Sequence, residues 1–446
     1  MKTIIQKVMK FNKKGDASSK AVSNTLWLLG ERVGTIVLGM LLSVVMARGL
    51  GTEEFGIYNF IMSIVVILTP LTSLGLNAIA VKDFVENKSR ELTTLGTTCV
   101  LRFFGALAGA AILILIDYIF NVSGSNLFWI TLLSLANTFT CFQVLDFWFQ
   151  SQLNSKMAVL GRFSVLLISS TTKFIALIYF DASLSTILII QTCELALSGF
   201  AFLLIYSLTG GRISKWNADY SVAKSLLSRS WWLILSGVAE IIYLKIDQIM
   251  LGKMVGYDEV AIYAVAAKLS ETWYFLPTII MASFFPLLIK ARAESSQAYK
   301  QSLQLLTTRL FLLAAVIAIL VTFLSKPVIY LLYGAQYAES AIVLSIHIWA
   351  GVFVFMRAVL SKWLVIENLL RFSLLTHLCG AVLNIVLNLF LIPPYGAIGA
   401  SVATIISYSV SSYFSLFIFS RTRGMGIVMT KSLLSPVLFF IRLVSR

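Results

Sequence analysis

Residues 33–47, 55–81, 103–120, 127–145, 163–180 and 184–208 are long apolar runs, and 231–252, 260–289, 310–333, 341–366, 372–393 and 396–420 form a second set of six. In hydrocarbon no water is available to backbone N–H and C=O groups, so a spanning segment must satisfy them within itself or within a closed barrel. A helix needs about 20 apolar residues for this, whereas barrel strands are ~10-residue alternating segments. These runs are long and apolar on all sides, so the sequence predicts an all-α polytopic membrane protein with twelve transmembrane helices. The composition agrees: 59% of the 446 residues are hydrophobic and 12% are charged, against about 25% charged in soluble domains.

The net charge of +15 raises a nucleic-acid reading, which the distribution of the charge excludes. Counting loops from the N-terminus, the even loops and both termini hold 25 Lys and Arg, from Lys2 and Lys7 at the start to Arg442 and Arg446 at the end. The odd loops hold 3, namely Arg48, Lys253 and Lys326. Basic residues stay on the cytoplasmic side during insertion, so both termini are expected there, which requires an even number of spans. No clear small-residue cleavage site accompanies the first apolar run, which is read as a span. The cysteines Cys99, Cys141, Cys193 and Cys379 show no CxxC spacing and read as packing residues.

One stretch occurs twice. "RGLGTEEFGIY" at 48–58 and "KMVGYDEVAIY" at 253–263 align at a shift of 205. Gly51 meets Gly256, Glu54 meets Glu259, and Tyr58 meets Tyr263. At a shift of 215, Trp148 meets Trp363 and Lys156 meets Arg371. Each match falls at the same loop of its half. The expected architecture is therefore two six-helix lobes related by a pseudo-two-fold axis along the membrane normal. The expected segments are a basic cytoplasmic N-terminus (1–20), an N-lobe (21–208), a cytoplasmic linker (209–225), a C-lobe (226–421) and a basic amphipathic tail on the membrane surface (422–446). The glycines should permit a tight turn. The acids after them should favour the next helix N-terminus, and the tyrosines should lie at interfacial depth.

Charges inside the runs are the functional signal. Seven cations fall there: Arg32, Arg102, Lys173, Lys245, Lys268, Arg309 and Arg357. Five acids join them: Glu31, Glu194, Glu240, Asp247 and Glu271. Each costs on the order of 3 kcal/mol at mid-bilayer on insertion scales. Arg102 and Arg309 are near run ends and could snorkel, and Lys268 and Glu271 could pair along one helix. Lys173, Lys245 and Arg357 have no acid three or four residues away. Asn384 and Asn388 stack one turn apart, with His377 on the same face. The surplus of cations suits an anionic substrate in a hydrated cavity. Lys173, Lys245, Arg357, Arg32, Lys268, Asn384 and Asn388 are thus the expected substrate-binding set. Glu194, Glu240, Asp247 and Glu271 are the candidates for ion coupling. No P-loop, HExxH, GxSxG or dinucleotide fingerprint is present, so no cofactor, metal site or enzyme activity is expected.

"ARGLGTEEFGIYNF" with "LGLNAIAVKDF", "IDQIMLGKMVGYDEVAIYAVAAKL" with "FPLLIKA", and "IPPYGAIGASVAT" resemble Wzx-type polysaccharide flippases of the multidrug/oligosaccharidyl-lipid/polysaccharide exporter superfamily. The resemblance runs over nearly the whole chain. It implies two six-helix lobes around a cationic cavity in a bacterial inner membrane. It also implies translocation of a polyprenyl-pyrophosphate-linked oligosaccharide to the periplasmic leaflet for O-antigen or capsule synthesis. The polysaccharide polymerase and chain-length regulator would be its protein partners, beside the lipid bilayer. The alternatives are a cation-coupled multidrug exporter of the same superfamily, for which an acidic or apolar cavity is expected, and a membrane polysaccharide polymerase, for which a long outer loop is expected. Single cysteines at Asn126 and Ser214 are predicted to react with an impermeant thiol reagent from opposite sides of the membrane; labelling of both from outside would contradict the topology.

Overall fold

The computed structural model describes residues 15–152 and 154–436. The basic stretch before residue 15 and the tail beyond 436 lie outside the described residues. No strand occurs among them. Helices of eight residues or more are α1 (Gly15–Ile67), α2 (Asn77–Glu86), α3 (Glu91–Phe120), α4 (Leu127–Ala136), α5 (Val144–Ser151), α6 (Ser155–Tyr179) and α7 (Leu184–Leu208). They continue as α8 (Tyr220–Met254), α9 (Tyr257–Glu271), α10 (Phe275–Glu294), α11 (Ser296–Tyr333), α12 (Ser340–His347), α13 (Ala350–Ile366), α14 (Leu370–Ser412) and α15 (Arg423–Leu433). Among the described residues, nine helical segments are long and apolar enough to cross a membrane.

Two of those segments are far longer than one crossing, at 63 and 47 residues. Each contains a glycine that breaks the helix: Gly51 (φ 77°, ψ −178°) in α1 and Gly396 (φ 52°, ψ −132°) in α14. Gly256, the repeat partner of Gly51, also has a positive φ (φ 117°, ψ 173°) and caps α9. This is the expected turn. A side chain there would strain the backbone, which is why both copies of the motif carry glycine at this position. The region 231–252 lies inside α8, which is absent from the nine because Glu240, Lys245 and Asp247 interrupt its apolar stretch.

Contacts divide the chain into two compact units. The first comprises the residues up to Gly49 together with Val65–Gly237, and the second Leu50–Ile64 together with the residues from Val238 onward. In the first, Phe84, Leu95, Phe149 and Phe202 form the centre of an apolar cluster. Asp83, fully enclosed, ties one end of this unit together. It accepts from Arg90 (2.7 Å), Arg229 (3.2 Å), Thr94 (2.8 Å) and Asn87 (3.2 Å). Arg102 does not snorkel as expected. It is 4% exposed, and its guanidinium lies 5.2 Å above the Phe147 ring.

In the second unit the two copies of the duplicated motif pack against each other. The Phe60 and Tyr257 rings meet edge to face at 5.4 Å, and Ser63 donates to Gln248. Gly56 lies so close that a Cβ would run into the Tyr257 carbonyl. Tyr263 is packed inside the unit, at 2% exposed. Glu259 is in the first turn of α9 as expected, yet its carboxylate also accepts from the Ala397 N–H at 2.6 Å. It therefore caps the helix that restarts after Gly396, where its charge opposes the exposed amide dipoles. Further along, α15 lays Met425 and Met429 into the cluster centred on Leu303, Phe355 and Met356.

Asn126 is buried, so Ser125, which is exposed, is the better position for the labelling experiment. Gly56→Val is predicted to destabilise by about 1–3 kcal/mol through overpacking against backbone that cannot yield. Gly30→Ala, with nothing within 4 Å, is predicted to be neutral. Thermal stability in detergent measures both, and equal melting of the two variants would contradict the packing.

Candidate functional site

Three polar clusters lie inside the units. In the first unit, Lys173 on α6 is 1% exposed. Its ammonium donates to Gln191 Oε1 at 2.7 Å and to Glu194 Oε2 at 2.7 Å, both on α7. Ser169, one turn earlier, donates to the same Glu194 oxygen at 2.6 Å. An ammonium carries three donors and no acceptor, and here two are answered by side chains on one neighbouring helix. A buried pair of this kind is close to neutral in net stability but expensive to break.

In the second unit, Asp247 on α8 is 1% exposed and has no basic residue at ion-pair distance among the described residues. It is held by neutral donors instead. Tyr263 and Thr404 donate to Oδ2, each at 2.8 Å, and Asn388 donates to Oδ1 at 2.5 Å. Asn388 also donates to Asn384 Oδ1 at 3.2 Å. Asn384 Nδ2, Asn388 Oδ1 and His347 Nδ1 are buried without a hydrogen-bond partner among the described residues. The His347 ring stands edge-on to Tyr263, with centroids 5.5 Å apart. The cluster sets two hydroxyl donors and one amide donor around one carboxylate, and none of the three brings a compensating charge. No group of three or more His, Cys, Asp or Glu positioned for a metal ion occurs among the described residues.

The third cluster surrounds Arg357 on α13. Its guanidinium donates to Thr376 Oγ1 (2.7 Å), the Ser411 carbonyl (2.8 Å) and Ser373. Its Nε has no partner among the described residues. No carboxylate lies at ion-pair distance among the described residues; Glu240 acts on it only across a longer gap. The charge is thus solvated by hydroxyls and carbonyls but not neutralised. Lys245 pairs with Glu271 at 3.9 Å; the expected pairing of Lys268 with Glu271 is not at ion-pair distance. Lys268, Glu240 and Arg32 are exposed.

The substrate-binding and ion-coupling candidates are therefore distributed differently from their sequence grouping. Asn384 and Asn388 adjoin Asp247, and Lys173 is enclosed with Glu194. Of the four acids, Glu194 and Glu271 face lysines, while Asp247 faces only neutral donors. Sequence reasoning missed Tyr263, Thr404 and His347 as parts of the Asp247 cluster. Tyr263 and Thr404 each belong to a stretch distinctive enough to be quoted above, so the signal was present but assigned to architecture.

A sequence-family model described as "Polysaccharide biosynthesis protein" matches residues 21–292, and the MatE model matches residues 233–390. A Haloferax volcanii protein named as the probable flippase AglR is 30% identical over 214 residues, covering 47% of this chain and 44% of its own length. The chain thus matches less than half the length of that relative. A Shigella flexneri protein provisionally named an O-antigen transporter is 22% identical over 425 residues, covering 90% and 98% of the two chains. Among solved structures, an inward-facing multidrug resistance MATE family transporter superposes with a TM-score of 0.71 at 13% identity, covering 90% of this chain and 96% of its own. The lipid II flippase MurJ superposes with a TM-score of 0.65 at 17% identity, covering 95% and 93%. These likenesses establish the fold.

If Lys173 chiefly answers Glu194, Lys173→Ala should lower membrane abundance, because breaking a buried pair costs about 3–5 kcal/mol. Adding Glu194→Gln should restore it. Unchanged abundance of Lys173→Ala, measured by quantitative immunoblot, would contradict the pairing.

Proposed function

The chain belongs to the polysaccharide biosynthesis protein family, and from that premise we propose that it is a flippase for polyprenyl-pyrophosphate-linked oligosaccharide. It carries the repeat unit from the cytoplasmic to the periplasmic leaflet of a bacterial inner membrane for O-antigen or capsular polysaccharide synthesis. The observation that carries this reading is Arg357, a guanidinium in an apolar helix with no carboxylate partner at ion-pair distance among the described residues. A pyrophosphate moving through hydrocarbon would lose its water, and an unsatisfied polar group costs several kcal/mol. A cation left open by its own fold replaces that water. Lys268, exposed and in the same unit, adds positive charge, while asparagine, serine and tyrosine side chains suit sugar hydroxyls. The name of the Shigella relative favours O-antigen as the cargo class.

The same reading takes the chain as twelve spans. Two of the nine apolar segments are long enough to cross twice, and α8 supplies a further crossing despite its charges. Both termini are then cytoplasmic, and the duplicated motif marks equivalent outer loops of two lobes related by a pseudo-two-fold axis. Transport proceeds by exposing the cationic site to each leaflet in turn. Asp247 is the favoured coupling residue of the four acids, because it alone among them is buried on neutral donors. A cation-coupled multidrug exporter is the second reading, favoured by the MatE match over residues 233–390; the unpaired guanidinium counts against cationic drugs.

In a strain lacking its own flippase, the wild-type chain should restore surface polysaccharide. Arg357→Ala should keep normal membrane abundance and lower polysaccharide at least about tenfold, as loss of one charge-assisted contact of 1.5–3 kcal/mol predicts. Arg357→Lys should recover part of it. Full polysaccharide in Arg357→Ala would overturn the role of this residue. Asp247→Asn should likewise fold and slow transport, whereas undiminished transport would remove Asp247 from coupling.

A further inference from the structure

At one end of the second unit, a cleft of about 630 Å³ opens where α15 lies across the first turns of α11 and the last turns of α10 and α13. Its floor is apolar: Leu303, Trp363 and Met425 are buried there, and Val428 lies beside them. Its rim is basic. Arg292, Lys300 and Lys431 come from three different helices and line the same opening.

The rim charges are not equivalent. Arg292 is fixed by Glu367, with Nε to Oε1 at 3.1 Å and Nη2 to Oε2 at 3.3 Å. It also stacks on Tyr299 at 5.4 Å. Glu367 lines the cleft as well, but its charge is matched by this bidentate contact. Lys300 and Lys431 are exposed and have no acid at ion-pair distance among the described residues. The opening therefore carries a net positive rim over an apolar floor. That combination fits an amphiphile with an anionic phosphate and a hydrocarbon chain. Neither a sugar nor a free inorganic anion would use the floor. In a protein that spans a bilayer, basic pockets between helices near the cytoplasmic surface receive phospholipid head groups.

We propose that this cleft is a binding site for an anionic phospholipid of the surrounding bilayer. The phosphate sits between Lys300 and Lys431, and an acyl chain lies along Trp363 and Val428. Occupancy would tie α15 to α11, adding to the bonds that Gln304 already makes to the Val428 carbonyl (3.1 Å) and to Ser432 (2.9 Å). Placing the cleft at the cytoplasmic end rests on the topology proposed above. Lipid retention by the purified protein depends on neither topology nor cargo, so the two can fail separately.

The experiment is native mass spectrometry of the full chain in detergent, titrated with phosphatidylglycerol, phosphatidylcholine or inorganic phosphate. The expected result is preferential retention of phosphatidylglycerol, reduced at least about fivefold in Lys300→Gln/Lys431→Gln. Retention should persist in Lys300→Arg/Lys431→Arg, and in Arg212→Gln/Lys224→Gln, which removes two cations from the first unit. Equal retention of the two phospholipids would overturn the proposal. So would an equal loss in the Arg212/Lys224 variant, or displacement of the lipid by inorganic phosphate alone.

Discussion

The rest of the structure depends on one constraint: a charge inside hydrocarbon must be answered from within the helix bundle. Each charge costs on the order of 3 kcal/mol at the bilayer centre, and this chain carries several. The protein answers them in three ways. Lys173 is matched by a carboxylate and an amide on the next helix. Asp247 is matched by a hydroxyl from α9, a hydroxyl and an amide from α14, and no cation at ion-pair distance among the described residues. Arg357 is solvated by hydroxyls and carbonyls and keeps its charge. Only the second and third solutions leave a charge with no opposite charge at ion-pair distance among the described residues.

The duplicated motif explains how these helices are held. Lipid tails give helices little hydrophobic reason to associate, so close packing and small residues carry the work. Gly56 lets one copy of the motif lie against the backbone of the other. Glu259 spans from the start of α9 to the amide of Ala397, so the motif also fixes where α14 breaks. That break places Thr404 two turns into the restarted helix, within reach of Asp247. The architecture and the polar site are therefore products of the same short sequence.

Much of this was legible in the sequence. Apolar runs of spanning length announced a helical membrane protein, and Gly51 and Gly256 announced their turns, because both signals are local. Family membership followed from the same stretches. What was not legible was partnership across helices. Asn384 and Asn388 read as a substrate-binding stripe because their spacing puts them on one face; which helix that face meets depends on packing. Lys173 read as unpaired because its acid lies on the next helix. Tyr263 read only by its distance from a loop, because the carboxylate it bonds lies on the preceding helix. Arg102 read as snorkelling because sequence shows distance from a run end but not the Phe147 ring beneath the guanidinium.

The most direct measurement is made on purified protein in lipid vesicles. A fluorescent polyprenyl-pyrophosphate oligosaccharide is placed in one leaflet, and its arrival in the other is followed by a membrane-impermeant quencher. The account predicts translocation that depends on the protein and on the pyrophosphate, so that the same oligosaccharide on an uncharged polyprenyl carrier moves much more slowly. Equal rates for the two carriers, or transport of a cationic dye in place of either, would contradict it.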